Sequence, residues 1–334
     1  MIITRLVALF VVLGFASSQV HRDVGRARYE DFPHQVLLLM KYANKELGGG
    51  TGTLISDQWV LTAAHNIQRR ADSGKPVAIE VSIPSEGFKA EANKWFAHGS
   101  YDLDRDMSSN GEYDLRAIDL ALVKLSAPLM KGEERANVMP ALLPQPKEEI
   151  EDLSVMRFAG YGDNDLEGEE SVLLQGTSVK LPGYLSDHLV FDLEDDIAEH
   201  HTMANAVKIY NKFEVEMGDE EKQRLNKRFE NQLKPSHIFT GVEKPKDTGP
   251  YTGHGDSGCG LFKVGENTVY GVLSASVYEG YHSQQFTRPI IWVKVSNHVW
   301  WINNKIELHS DRNFGGQQAE VEWFDEWEEG WDEE

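Results

Sequence analysis

Cysteine is nearly absent from this chain: Cys259 is the only one in 334 residues. No intrachain disulfide can form, an absence that is tolerable at this length. Positive charge is also scarce, with 33 Lys and Arg against 54 Asp and Glu and a formal net charge of −21. A phosphate backbone needs Lys and Arg, so this balance argues against nucleic acid as a partner. No apolar run after the first eighteen residues is long enough to span a bilayer. The chain has no internal repeat and no Asn-x-Ser/Thr sequon.

What is present describes a globular protein. The hydrophobic fraction is 40% and there are eight Trp, too much apolar surface for a disordered chain. The length allows a full core in one or two domains. Met1 to Ser18 reads as a signal peptide: Arg5 gives a short positive region, Leu6 to Phe15 an apolar stretch, and Ala16-Ser17-Ser18 a small-residue cleavage site. The apolar part is too short for a transmembrane anchor. A secreted, extracellular protein beginning near Gln19 is therefore expected.

One stretch carries chemistry, Gly253-His254-Gly255-Asp256-Ser257-Gly258-Cys259-Gly260. A hydroxyl flanked by small residues is accessible to a bulky substrate, and closely spaced backbone N–H groups can converge on an oxygen that gains negative charge. A Gly-rich hairpin turn would look the same on these residues alone. Two further segments add partners. Leu61-Thr62-Ala63-Ala64-His65 offers a base, and Ile118-Asp119 leading into Leu120-Ala121-Leu122-Val123 offers a carboxylate to orient it. Asp119 is preferred to Asp114 because it leads directly into the alternating strand, and a histidine N–H would offset the cost of burying it.

The order His, Asp, Ser and all three motifs resemble those of the trypsin/chymotrypsin-like serine proteases, over roughly Ala27 to Ile302. The resemblance implies an all-β fold of two packed six-stranded antiparallel β-barrels with a C-terminal helix. The protease domain would span about 19–307, with the first barrel near 27–145, the second near 153–295 and the helix near 296–307. "FPHQVLLL" from Phe32 resembles the first strand, and Phe96 to Tyr101 the segment before the Asp. Pro140 to Asp152 resembles the connection between barrels. Val155 to Gly162 and Ser171 to Leu181 resemble second-barrel strands, and Ile238 to Gly241 resumes the pattern. Pro289 to Ile302 resembles the last strand and helix.

Three departures stand out. The family's apolar N-terminus, whose amine pairs with the Asp before the nucleophile, is replaced by His21-Arg22-Asp23-Val24, leaving Asp256 without an obvious partner. Two bridged cysteines of the family fall on Gly50 and Asn66, lost together. Cys259-Gly260 stands where the family favours Gly-Pro.

Residues 186–236 leave the pattern and read as an insert of mainly helical character in the second barrel. Met203, Val207 and Tyr210 recur at helical spacing, as do Leu225, Phe229 and Leu233. A packed flap is preferred to a gate over the cleft. His200 and His201 lack a spaced partner for metal. The loop Asp102, Asp104, Asp106, Asn110, Glu112 reads as solvated, since Met107 and Tyr113 break the calcium-loop pattern. The segment 308–334 is an acidic tail. From Asp311 it holds ten acidic residues against Arg312 alone, with Trp323, Trp327 and Trp331 four residues apart. It would be solvated, or would dock on a partner or on its own domain.

The resemblance implies a secreted serine endopeptidase acting on a protein or peptide, with no metal or organic cofactor. Ser257 would be the nucleophile, His65 the base, Asp119 the orienting carboxylate, and the N–H groups of Gly255 and Ser257 the oxyanion hole. Tyr251, Ser274 and Ser276 would line a restricted specificity pocket for small or medium apolar side chains. A rearranged loop could instead bring Asp247 into it. The alternative is a catalytically silent homologue that acts as a binding or regulatory protein, suggested by the missing N-terminus and Cys259-Gly260.

Overall fold

Side chains alternate between two cores along most strands, the period of two that a pleated backbone imposes. On β4 (Trp59–Thr62), Val60 enters one barrel while Trp59 and Leu61 enter a second cluster that both halves of the chain share. On β7 (Ala121–Leu125), Val123 and Leu125 point inward and Leu122 joins the shared cluster. The computed structural model describes residues 25–68, 75–101, 118–128, 138–152, 154–162, 173–180, 223, 236–241, 252, 255–276 and 290–310. The expected signal peptide, the acidic loop, the tail from Asp311 and the insert (apart from residues 223 and 236) lie outside the described residues.

The first barrel is closed by six antiparallel strands in the order β2-β3-β4-β7-β6-β5. Besides β4 and β7 these are β2 (Gln35–Lys41), β3 (Leu47–Leu54), β5 (Ala78–Ile83) and β6 (Phe88–Ala97). Closure leaves no free edge. Val36, Leu38, Met40, Leu54, Ile79, Val81 and Ile83 fill its interior.

The second half is a seven-stranded antiparallel sheet in the order β1-β9-β10-β13-β12-β11-β8. Its members are β1 (Gly25–Arg26), β8 (Val155–Gly160), β9 (Leu174–Lys180), β10 (His237–Gly241), β11 (Gly260–Lys263), β12 (Val269–Ser276) and β13 (Ile290–Lys294). β8 pairs back onto β9, so six strands run round into a ring and β1 lies outside it. Trp292 anchors the interior: it is fully buried, packs on Phe158, and donates its Nε1–H to Thr240 Oγ1 at 2.9 Å. Burying a side chain of this size contributes roughly 1.5–3 kcal/mol.

The two halves meet through Trp59, Leu61 and Leu122 from one side and Phe262, Val269, Val272 and Val293 from the other. The connection between them is strapped down, with Ala141 N–H on the Leu54 carbonyl and Ser296 Oγ–H on the Glu148 carbonyl, each at 2.8 Å. A short 3-10 turn (Val295–Asn297) precedes helix α2 (Val299–Leu308), so the helix starts three residues later than expected. Val299, Ile302 and Ile306 give it one apolar face. At its end the nearly buried Lys124 ammonium donates to the His309 carbonyl at 2.7 Å, a cation at the negative pole of the helix.

The strand expected over 155–162 stops at Gly160 for a local reason. The next two N–H groups are taken by side chains rather than by a neighbouring strand: Tyr161 N–H by Thr51 Oγ1 and Gly162 N–H by Asp256 Oδ1, both at 2.8 Å.

Candidate active site

β4 runs out of the first barrel into a single helical turn, α1 (Ala64–Ile67), which carries His65. Asp119 lies two residues before β7, and the pairing of β4 with β7 brings these two strand ends together. The carboxylate grips the histidine twice. Its Oδ1 accepts the His65 backbone N–H at 2.8 Å, and its Oδ2 lies 2.7 Å from Nδ1. An anionic acceptor at Nδ1 requires a proton there, which leaves Nε2 as the basic nitrogen.

Asp119 has no solvent exposure. Burial alone raises its pKa, but the charge of His65, the hydrogen bonds from the His65 ring and the Ser274 hydroxyl, and the His65 backbone N–H outweigh it. The net shift is downward, so the group is held as a carboxylate. Ser274 Oγ–H donates to Oδ2 at 2.7 Å from the middle of β12. The hydroxyl expected to line a specificity pocket is thus turned to the Asp119 carboxylate. The resemblance implied a pocket-lining place for Ser274, and nothing in the sequence pointed to its bond with Asp119.

Ser257 sits in the turn that leads into β11. Cys259 N–H bonds to the Asp256 carbonyl at 2.9 Å, closing the turn. In a trans peptide the Ser257 N–H points opposite to that carbonyl. The Ser257 carbonyl is held by the Thr51 N–H at 2.9 Å and by Asn66 Nδ2–H at 2.8 Å. Asn66 is the residue after His65, so the Ser257 turn abuts the His65 turn. Gly258 makes this approach possible. Its φ is +89°, and a Cβ there would lie 2.2 Å from Thr62 Oγ1. Gly255, with φ +92°, starts the turn.

Asp256 accepts the Gly162 N–H, so the partner the sequence left unidentified includes a backbone amide of the second barrel. The two positions of the lost disulfide also find a physical account. A Cβ on Gly50 would lie 2.7 Å from Asn66 Nδ2, so the amide of Asn66 fills the space of the bridge. Cys259 is fully buried in the second-barrel core, and burial raises its thiol pKa.

The structure therefore pairs His65 with Asp119, sets the Ser257 turn against the His65 turn through Asn66, and adds Ser274 and Thr51 as contacts of Asp119 and Gly255. Tyr251 and Asp247 lie outside the described residues, as does the Ser276 side chain. Among the described residues no group of three or more His, Cys, Asp or Glu could hold a metal ion, and no helix is long and apolar enough to cross a membrane. The arrangement can orient an imidazole on a turn that abuts the Ser257 turn, where the Gly255 and Ser257 carbonyls are held.

Comparison with known proteins points the same way. The model of the Trypsin family matches residues 23–187, a span that includes His65 and Asp119 and ends before Ser257. The chain is 28% identical over 164 residues to a calcium-dependent serine proteinase of Mesocricetus auratus, covering 47% of this chain and 21% of that protein. It is 27% identical over 172 residues to the snake venom serine protease Haly-2 of Gloydius brevicauda, covering 48% and 57%. The chain thus spans only part of each relative. Two solved structures share the fold: HL collagenase (TM-score 0.56, 17% identity, 85% of this chain and 98% of that one) and a scabies mite inactivated protease paralogue (0.54, 16%, 85% and 97%).

Proposed function

We propose that this chain, which resembles the trypsin/chymotrypsin-like serine proteases in its motifs, its match to the Trypsin family and its fold, is a secreted serine endopeptidase. The observation that carries this reading is the doubly bonded His65–Asp119 pair set beside the Ser257 turn. Ser257 Oγ attacks the scissile carbonyl and His65 Nε2 takes its proton. The imidazolium that forms is stabilised by Asp119, whose own position is held by Ser274. The carbonyl oxygen gains charge between the N–H groups of Gly255 and Ser257. His65 then returns the proton to the leaving amine, and water hydrolyses the acyl-enzyme by the same steps.

The substrate is a protein or peptide. The pocket is restricted and suits small or medium apolar side chains, since Tyr251 stands where trypsins place the pocket carboxylate. Export follows from the leader-like first eighteen residues. The acidic tail docks through its Trp side chains on a partner or on its own domain, where Lys222, Arg224, Lys227 and Arg228 offer opposite charge.

The test is labelling of the purified protein with a serine-directed fluorophosphonate, together with casein hydrolysis. Wild type should label at Ser257 and cleave. Ser257→Ala and His65→Ala should each lose about 10⁴- to 10⁶-fold in kcat while folding normally. A wild type that neither labels nor cleaves, indistinguishable from the two variants, would establish the catalytically silent binding protein instead.

A further inference from the structure

Three polar side chains of the first barrel close a hydrogen-bond network under the nucleophile turn. Thr51 Oγ1 accepts the Tyr161 N–H at 2.8 Å and donates to the Gly255 carbonyl at 2.8 Å. Thr62 Oγ1 donates to the Thr51 carbonyl at 2.8 Å and accepts from Asn66 Nδ2 at 3.0 Å. The second hydrogen on Asn66 Nδ2 goes to the Ser257 carbonyl at 2.8 Å. Each hydroxyl gives its one proton and receives one, and the Asn66 NH₂ uses both of its hydrogens, so none of these donors is left over. Thr51 and Thr62 have no solvent exposure and Asn66 has 2%.

A fully satisfied network in a dry site holds its members in one arrangement. What it holds is the pair of carbonyls on either side of Asp256 and Ser257. Gly255 is the residue most in need of that support. With no Cβ and φ at +92°, it can swing its peptide at little local cost. The bond from Thr51 Oγ1 removes this freedom at the carbonyl end, and the Tyr161 N–H fixes the direction in which the hydroxyl points. Thr51 therefore joins three elements: β3, the end of β8 and the nucleophile turn.

We propose that Thr51 is a positioning residue for the oxyanion hole. It pins the Gly255 carbonyl, and through the Gly255 Cα it limits the swing of the preceding peptide, so that the Gly255 N–H stays aimed where charge develops, a role that rests on the reading of Ser257 as nucleophile. Thr62 and Asn66 extend the same support to Ser257 from the space of the missing disulfide.

The test compares Thr51→Val, which keeps shape and removes the hydroxyl, with Thr51→Ser, which keeps the hydroxyl. In Thr51→Val, kcat should fall about 10- to 100-fold, short of the loss of an oxyanion donor itself, while KM moves by less than about threefold. Rates are normalised to the fraction of Ser257 that a fluorophosphonate finally labels, so partial unfolding does not imitate the effect. A peptide aldehyde, which mimics the tetrahedral intermediate, should weaken by the same factor as kcat/KM. Thr51→Ser should retain most of both. If Thr51→Val does not fold, Thr51→Ala against Thr51→Ser gives the same contrast. Wild-type kcat and aldehyde affinity in the hydroxyl-free variant would overturn the proposal, as would equal losses in the Ser variant. A wild type inert to the fluorophosphonate sinks the hydrolase reading itself. The crystal structure of Thr51→Val then tests the pin independently of activity: a reoriented Gly255 carbonyl supports it, and an unmoved one refutes it.

Discussion

Lowering the pH from 6 to 5 should destabilise the fold steeply, and the structure identifies the groups responsible. His34 and His237 are buried, and burial is the main cause holding their pKa values down, at about 3 and about 4. Arg157 adds to the effect at His34, whereas Asp119 opposes it at His237. The half-buried pair His98 and His298, with rings 4.9 Å apart, is lowered to about 4 and about 3, again first by burial. Lys305 contributes at His98; His98 and His237 contribute at His298. In the unfolded chain each imidazole takes its proton near the ordinary value of about 6.5.

Between those values the unfolded state binds more protons than the folded one, so stability rises with pH and is lost as pH falls below about 6.5. One proton of difference corresponds to about 1.4 kcal/mol per pH unit. His34 and His237 together give on the order of 2–3 kcal/mol across this one unit, and the exposed edges of the other pair reduce their share. Against a typical net stability of about 5–15 kcal/mol this is a large fraction. Asp119 acts elsewhere. Its carboxyl is lowered, so its contribution is complete above the ordinary carboxylate range and is lost only at stronger acid.

The assay is the urea midpoint at fixed m across pH 5 to 8. The slope should correspond to an uptake of about two to four protons on unfolding near pH 5.5, and to less than one by pH 7.5. His237→Leu should lower the acid slope by about one proton. A midpoint that stays flat from pH 7 to 5 would refute the reasoning.

Gly162→Ala should cost about 1–3 kcal/mol, read as a lowered Tm and reduced turnover, because its Cβ would fall 2.6 Å from the Asp256 carboxylate that the Gly162 N–H holds. A variant as stable and active as wild type would remove Asp256 from the turn's support. A peptide-library profile should show cleavage after small or medium apolar residues; dominance of Arg or Lys would implicate Asp247 instead. Truncation after His309 should change kinetics or pull-down partners, with salt weakening the docked form only in part, since exposed charge pairs contribute about 0–1 kcal/mol each. Unchanged kinetics, Tm and partners would make the tail a solubilising appendage.

The barrels and the candidate pair His65 and Asp119 were legible in the sequence because their signals are local. Alternation on β4 and β7 reports two cores, and small residues around Ser257 report an accessible turn. The supports were not legible, because each depends on a distant partner. Ser274 reads as a pocket-lining residue until its hydroxyl is found 2.7 Å from the Asp119 carboxylate, 155 residues away in sequence. Thr51 is unremarkable until its hydroxyl meets Tyr161 and Gly255. The helix start moved for a similar reason, since Ser296 is tied to the Glu148 carbonyl in the preceding 3-10 turn.

Asn66 shows how an absence becomes a support. Losing both cysteines of a bridge together is self-consistent in sequence, but it says nothing of what fills the space. A Gly at position 50 opens room for a side chain at position 66, and a Cβ there would be 2.7 Å from the amide that now occupies it. A thiol pair can only link β3 to the His65 turn. An amide in the same space has two hydrogens to place, and one of them reaches the Ser257 carbonyl. The covalent tie between two parts of the first barrel is thereby replaced by hydrogen bonds, one of which crosses to the Ser257 turn of the second.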